Sequence, residues 1–194
     1  NNIPFDIAIV DYNSRSQSKL EIKYAQDLAT KYKKECYIKE VQLSHSNFEK
    51  NARDIRYKFF ESLISSYQYD NLITAHQLND KLEWFLMQFS KGAGLVELIG
   101  LNEFELRNNY NLVRPILNLK KTELLNYLQH NNIKYFTDNS NFDDKYKRNY
   151  FRKNFSNEFL EEFSDGITRS FTYLNKDIIS LEINALPILK KDEL

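Results

Sequence analysis

Cysteine, glycine and proline are scarce in this sequence, which has one cysteine, four glycines and three prolines among 194 residues. Because Cys36 stands alone, an intramolecular disulfide and a multi-cysteine zinc or redox site are excluded. A single cysteine also fits a reducing, cytoplasmic setting. So few glycines and prolines argue against long flexible linkers. We therefore expect one domain, or one domain with a small helical appendage.

Long apolar runs and an excess of charge are also missing. No apolar run approaches the roughly 18 residues of a membrane span, and Asn1–Phe5 has neither part of a signal peptide, so we expect no membrane association. Basic and acidic residues are equal, at 27 each, so nucleic-acid binding would need a local patch. The candidate is Lys145–Lys153, where five cations alternate with aromatics. A solvated helix face is the competing interpretation.

The spacing of apolar residues predicts an α/β fold. Short β-branched runs predict strands, and apolar residues recurring every three to four positions predict helices. The predicted strands are Ile7–Val10, Cys36–Ile38 and Asn71–Ala75, and the predicted helices are Lys19–Lys34, Asn47–Tyr67 and Asn79–Ser90. This alternation indicates a mostly parallel, Rossmann-like sheet flanked by helices.

The pattern changes beyond about residue 105. Leu112–Ile116 reads as an extended piece, because the residue before Pro115 avoids the helical region. Lys121–Asn131 and Ser156–Ser180 read as helices. We therefore predict an α/β core over residues 1–105 and a mainly helical subdomain over residues 106–194.

Polar residues follow two of the predicted strands, at the edge where open α/β sheets bind ligands. Val10 runs into Asp11, and Ile73 runs into Thr74. Three further residues, His76, Asp80 and Glu83, follow at i, i+4 and i+7 and so share one helical face. Helix capping by an acid in the first turn, a metal site and the polar wall of an active-site cleft are all open interpretations.

Two further groups of polar residues have competing interpretations. Arg53 and Arg56 lie three apart, and their guanidinium groups suit phosphate oxygens. The alternative is pairing within the helix, for instance Glu49 with Arg53. The segment Asp138–Asp144 is rich in turn formers. It resembles a calcium loop but lacks the glycine and terminal acid of that pattern, so a turn with a helix cap is the alternative.

Four motifs occur in an order that resembles a known family. Val10-Asp11-Tyr12-Asn13-Ser14-Arg15 is similar to the strand end Val-Asp-His-x-x-Arg, and residues 47–60 resemble the helix Asn-x-Glu-x-x-Ala-Arg-x-x-Arg-Tyr-x-x-Phe. Residues 74–83 resemble Thr-Ala-His-His-x-Asp-Asp-x-x-Glu. The set is completed by Arg114-Pro115, Asp138-x-Ser140-Asn141 and Arg148-Asn149-x-x-Arg152. The family is that of the tRNA(Ile)-lysidine synthetases, within the N-type ATP pyrophosphatases.

The resemblance implies an adenine nucleotide alpha hydrolase-like fold and a ligase that forms a C–N bond. Such an enzyme adenylates the wobble cytidine of tRNA(Ile) with a CAU anticodon, using ATP with Mg²⁺ and releasing pyrophosphate. The amine of free L-lysine then displaces AMP to give lysidine. Besides tRNA(Ile) and lysine, a homodimer is left open as a partner.

The resemblance also assigns residues to roles. Those near ATP are Asp11, Arg15, Thr74 and His76, and those with catalytic roles are His76, Asp80 and Glu83, with Asp80 also as a metal ligand. The residues assigned to the substrate or tRNA are Arg53, Arg56, Arg114, Asp138, Asn141, Arg148, Asn149 and Arg152. Because a carboxylate attracts an ammonium group, the cationic lysine gives the acids a purpose.

The sequence departs from the family pattern in two ways. The phosphate loop Ser-Gly-Gly-x-Asp-Ser, expected one strand and one helix before Ile7, is absent, from which we infer truncation. Gln77 and Asn79 stand where the family has His and Asp, so neither position is ionisable. The alternatives are another PP-loop tRNA-modifying enzyme, such as a thiolase, which the single cysteine disfavours, and a non-catalytic nucleotide- or RNA-binding homologue.

Overall fold

The computed structural model describes residues 4–13, 17–43, 48–137 and 147–189, with side chains of the last helix described up to Leu181. The strands are β1 (Ile7–Asp11), β2 (Cys36–Glu40), β3 (Asn71–Ile73), β4 (Phe104–Leu106) and β5 (Asn111–Val113). The α-helices are α1 (Ser18–Tyr32), α2 (Phe48–Tyr67), α3 (Leu78–Phe89), α4 (Leu95–Leu98), α5 (Lys121–His130), α6 (Lys147–Phe151) and α7 (Asn157–Leu189). A π-helical turn, Arg152–Ser156, separates α6 from α7.

The chain divides into two compact units. The first comprises Asn1–Leu72 with Asn108–Tyr110, and the second comprises Ile73–Arg107 with Asn111–Leu194. The predicted boundary at residue 105 stays a prediction. No helix in the described ranges is both long and apolar enough to cross a membrane.

The first unit contains the parallel pairing that the sequence predicted. Strands β1 and β2 are joined by α1 and pair in parallel, from Ile7 opposite Cys36 to Asp11 opposite Glu40. Backbone hydrogen bonds extend the pairing at both ends, from Ile7 N to Glu35 O at 2.9 Å and from Val41 N to Asp11 O at 2.7 Å. Asp11 therefore ends its strand in a buried position.

The second unit is built on α3. Its apolar core consists of Leu78, Leu82, Ile99, Leu160 and Phe171, which come from α3, α7 and the end of α4. Strands β4 and β5 pair in antiparallel register, with Phe104 opposite Val113. The sequence analysis predicted α3, α5 and α7, and an extended piece at Leu112–Ile116 that overlaps β5, but it did not predict α4, β4 or the β4–β5 hairpin.

The segment of α6 and the π-helical turn carries two arginines on one side of the chain. Ser156 is fully buried, and its Oγ donates to the carbonyl of Phe151 five residues earlier, at 3.2 Å. Arg148 and Arg152 are four residues apart, so they lie one above the other on one face. That face is turned toward α3, where both guanidinium groups find carboxylate partners.

Three helices end in residues with left-handed backbone that are not glycine. Lys33, Gln68 and Asn132 follow α1, α2 and α5 with φ values of 55°, 56° and 51°. Glycine is the usual residue there, because a Cβ atom makes this conformation unfavourable. A chain with four glycines thus accepts some local strain at these helix ends.

We expect Gln68→Gly to stabilise the protein by about 0.5–1 kcal/mol, because glycine removes the left-handed strain and Gln68 is exposed. Urea unfolding of both proteins measures the difference. The matched control is Ser66→Gly inside the last turn of α2, which should cost about 0.5 kcal/mol. A loss of stability in Gln68→Gly would contradict the prediction.

A cluster around Asp6 ties the two parallel strands to the end of α2. The Asp6 carboxylate accepts the backbone N–H of Glu35 at 2.8 Å through Oδ1, and the Tyr69 hydroxyl through Oδ2. The Tyr69 hydroxyl also contacts that of Tyr37 at 3.4 Å. Burial, followed by these hydrogen bonds, raises the pKa of Tyr69 above its usual value.

The raised pKa predicts an alkaline stability effect. The folded protein keeps the Tyr69 proton at a pH above about 10, where an unfolded tyrosine loses it. The stabilisation is therefore complete below that pH and is lost as the pH rises toward the folded pKa. We expect Tyr69→Phe to cost about 1 kcal/mol at pH 8, and to lose less further stability than the parent between pH 9.5 and 11. Urea unfolding across this range tests it. Tyr173→Phe, at an exposed tyrosine, is the control, and equal pH slopes for Tyr69→Phe and the parent would refute the prediction.

Candidate functional site

Helix α3 places its acids just after β3. Gln77 precedes the helix in extended conformation, and its backbone N–H donates to Asp80 Oδ2 at 2.9 Å. Leu78 and Leu82 are buried in the core, so the helix turns Asp80 and Glu83 to a different side. The capping interpretation of Asp80 is therefore correct, but capping uses only one of its two oxygens.

Asp80 and Glu83 form a charged cluster with Arg148 and Arg152. Glu83 Oε2 lies 2.7 Å from Arg148 Nε, and Glu83 Oε1 lies 2.7 Å from Arg152 Nε. A second Arg152 nitrogen, Nη2, donates to Oε2 at 3.0 Å. Arg148 also contacts Asp80 Oδ1 through Nη2. Two acids and two arginines therefore balance in charge, and Arg148 bridges both acids.

Glu83 is the buried centre of the cluster, with a side chain only 1% exposed. Removing a carboxylate from water is costly unless charged, well-aligned hydrogen bonds replace the water. Both Glu83 oxygens receive such bonds from the two guanidinium groups. The carboxylate thus anchors the segment Lys147–Ser156 on α3.

A cavity of about 370 Å³ opens beside the cluster. Its lining residues are Gln77, Asn79, Glu83, Lys121, Leu125, Tyr135, Phe136, Thr137, Arg152 and Asn157. Asn79 Oδ1 accepts the backbone N–H of Lys121 at 3.0 Å and thereby caps α5. The Gln77 Oε1 atom is buried without a hydrogen-bond partner. The two amides that depart from the family pattern therefore line one cavity.

Thr74 and His76 are brought together, with 2.9 Å between Thr74 Oγ1 and His76 Nδ1. The Thr74 backbone N–H donates to Val113 O at 3.0 Å, which fixes the chain after β3 beside β5. A hydrogen bond to Nδ1 orients the imidazole ring. The assignment of both residues to ATP stays a prediction.

The site residues predicted in the first unit have local partners. Asp11 is buried, and its Oδ1 accepts the backbone N–H of Asn13 at 2.8 Å. Tyr12 donates to the carbonyl of Ala52 at 2.8 Å, and burial raises its pKa while the charge of Arg56 opposes that rise. The Arg53 guanidinium lies 4.8 Å from the centre of the Tyr57 ring. Arg15 lies outside the described residues.

The remaining predicted residues are less accessible or lie outside the description. Arg114 is 1% exposed, and its guanidinium donates to Asn102 O at 2.7 Å and to Glu105 Oε2 at 3.2 Å. Asn149 is also buried. Their assignment to tRNA stays a prediction, and burial disfavours it because a buried group cannot reach RNA. Asp138 and Asn141 lie outside the described residues.

The sequence analysis missed Lys81, which is 3% exposed and lies 4.8 Å from the centre of the Phe171 ring. Burial lowers the pKa of Lys81, and the charge of Glu103 opposes that shift. Its position three residues after Leu78 and four before Phe85, on the apolar stripe of α3, was the available signal.

A metal site finds little support in the described part of the chain. Those residues contain no group of three or more His, Cys, Asp or Glu side chains that could hold a metal ion. The two Asp80 oxygens already accept Gln77 N and Arg148. Asp80 as a metal ligand therefore stays a prediction.

Parallel strands joined by helices, with polar residues at the strand ends, define an α/β protein of the nucleotide-binding type. A family model for the PP-loop domain matches residues 1–159. The chain belongs to the PP-loop domain family, which indicates ATP binding.

Three relatives carry the name tRNA(Ile)-lysidine synthase. Each is 48% identical: the Campylobacter jejuni (strain RM1221) protein covers 98% of this chain, that of Helicobacter hepaticus 93%, and that of Helicobacter pylori (strain ATCC 700392 / 26695) 91%. The chain spans only 62%, 44% and 52% of their respective lengths. Among solved structures, the U34-tRNA thiolase NcsA from Methanococcus maripaludis matches with a TM-score of 0.66 at 16% identity, covering 89% of this chain and 63% of its own. That likeness shows the fold alone.

We expect Glu83→Ala to destabilise the protein by about 3 kcal/mol, because it leaves Arg148 and Arg152 without their buried partner. Asp80→Ala should cost only about 1 kcal/mol, as for the loss of a helix cap. Urea unfolding measures both, with the exposed Glu161→Ala as a control expected within about 0.5 kcal/mol of the parent. Equal losses for Glu83→Ala and Asp80→Ala would show that Glu83 is not the anchor.

Proposed function

We propose that the protein ligates free L-lysine to the wobble cytidine of tRNA(Ile) with a CAU anticodon, consuming ATP through an adenylated cytidine and forming a C–N bond. The observation that carries the proposal is the charged cluster beside a cavity just after β3, in a PP-loop chain. Relatives named tRNA(Ile)-lysidine synthase, each 48% identical over at least 91% of the chain, support the same reaction.

The chain's own residues suit a cationic amino acid and an anionic RNA. Asp80 offers a carboxylate, with a side chain 16% exposed, whose negative charge attracts the ammonium group of lysine. Arg148, with a side chain 38% exposed, can reach phosphate oxygens. We assign catalytic positions to His76 and Asp80. Glu83, which the resemblance made a third catalytic residue, is buried, so we give it the role of positioning the arginines.

ATP is a substrate in this proposal, and Mg²⁺ would accompany its phosphates. No group of three or more His, Cys, Asp or Glu side chains that could hold a metal ion lies in the described ranges. The described residues therefore do not supply a complete magnesium site, and no step is derived through the ion. We place the protein in the cytoplasm, where tRNA, lysine and ATP are available.

Sulfur transfer, the chemistry of the thiolase with a similar fold, is disfavoured. Cys36 is the only cysteine of the sequence and lies in β2. Burial raises the pKa of its thiol, so at neutral pH it is mostly the unreactive protonated form. One protonated cysteine supplies neither a paired sulfur carrier nor a cluster site.

The proposal predicts that the full-length protein incorporates labelled L-lysine into tRNA(Ile) with a CAU anticodon, only when ATP is present. Asp80→Ala should lower incorporation by about 100-fold or more, because loss of an oriented charged group costs several kcal/mol. Circular dichroism should show that this variant remains folded. The controls are exposed Glu161→Ala and the same tRNA with a GAU anticodon. Folded parent protein that never transfers lysine to the tRNA would refute the function.

A further inference from the structure

The four members of the charged cluster differ in exposure. The side chains of Arg148, Arg152, Asp80 and Glu83 are 38%, 21%, 16% and 1% exposed, respectively. Arg148 is therefore the member nearest to solvent, and it alone contacts both acids. A cation that binds Asp80 Oδ1 would therefore take the place of the Arg148 guanidinium.

The ion pairs Arg152–Glu83 and Arg148–Asp80 also differ in how easily they can be broken. Glu83 is desolvated, so separating it from Arg152 would strand a buried charge. The contact between Arg148 and Asp80 is partly exposed, and exposed ion pairs contribute little to stability. Asp80 would keep the Gln77 N–H after Arg148 left. Release of Arg148 also breaks its 2.7 Å hydrogen bond to Glu83 Oε2, but Arg152 still donates to both Glu83 oxygens. Arg148 is thus the arginine that can be exchanged.

We infer that Arg148 occupies the cation position at Asp80 in the free protein and must leave before the ammonium group of lysine can bind there. This inference rests on the proposed function, which brings a lysine to this site. Both Glu83 oxygens and both Asp80 oxygens already accept hydrogen bonds. A second cation at Asp80 would therefore be repelled by the guanidinium that is already there.

An RNA phosphate is the partner that releases Arg148. A guanidinium group binds phosphate oxygens with the same fork that it uses for carboxylates. Arg148 lies with Arg152 and Lys153 on one segment of the chain, so an RNA strand that reaches this segment competes with Asp80 for Arg148. Release of Arg148 frees one acid while Glu83 stays bound to Arg152. Arg148 is thus a positioning residue that makes lysine binding depend on RNA.

Equilibrium dialysis with labelled L-lysine tests this dependence. The full-length protein is measured without ATP, so that no turnover occurs, with and without a transcript of tRNA(Ile) bearing the CAU anticodon. For the parent protein we expect the lysine Kd to fall about tenfold when RNA is added. Arg148→Ala without RNA should bind lysine about tenfold more tightly than the parent, and RNA should change its Kd less than about threefold.

Two further variants make the test selective. Arg148→Lys keeps the charge but lacks the fork that reaches two acids, so its Kd without RNA should lie between those of the parent and Arg148→Ala. Arg169→Ala, an exposed arginine on α7, should behave as the parent. Thermal unfolding checks that each variant is folded. If Arg148→Ala does not fold, the lysine Kd of Arg148→Lys without RNA is the deciding measurement.

The outcomes separate this inference from the function on which it rests. If Arg148→Ala and Arg148→Lys bind lysine no more tightly than the parent without RNA, while the parent binds lysine with RNA, the role of Arg148 is refuted and the function stands. If the parent binds no lysine even with RNA, the proposed function fails and the inference with it. Tight, RNA-independent lysine binding by the parent would also refute the role of Arg148.

Discussion

The carboxylate of Glu83 is the constraint on which the second unit depends. It is buried, and two guanidinium groups hold it from the same side of the chain. A buried carboxylate without such partners would be several kcal/mol unfavourable, so α3 and the segment Lys147–Ser156 cannot separate without exposing it. The geometry of the candidate site follows from this one charge. With both arginines held at Glu83, Arg148 contacts Asp80 and Arg152 lines the cavity.

Periodicity in the sequence was enough to predict most helices and strands, because the apolar residues of α1, α2, α3 and α7 recur at helical spacing. The partners of Glu83 could not be predicted in the same way. They lie 65 and 69 residues away along the chain, and no local pattern relates residues so far apart. The motif order grouped Arg148 and Arg152 with RNA and Glu83 with lysine. The structure instead joins all three.

Shorter features escaped prediction for local reasons. Strand β4 has only three residues, Phe104–Leu106, too few to show an alternating pattern. The π-helical turn inserts one residue per turn without a glycine or proline to mark it. The left-handed ends of α1, α2 and α5 carry Lys, Gln and Asn where glycine would have been the signal. Lys81 was not singled out from the sequence, although its place on the apolar stripe of α3 leaves it only 3% exposed.

Asn79, one of the two neutral amides that line the cavity, keeps a structural contact but lacks the charge of the aspartate that the family pattern has at this position. Asn79 caps α5 through its side-chain oxygen, and an aspartate at this position could make the same hydrogen bond. The amide removes a negative charge close to Asp80 and Glu83. Two carboxylates are then balanced by two guanidinium groups, whereas a third carboxylate would leave the cluster with a surplus negative charge. Because the cluster of two acids and two arginines is neutral, Arg148 can be exchanged. When an anion binds Arg148, only Asp80 loses its cation, and one incoming ammonium group can replace it.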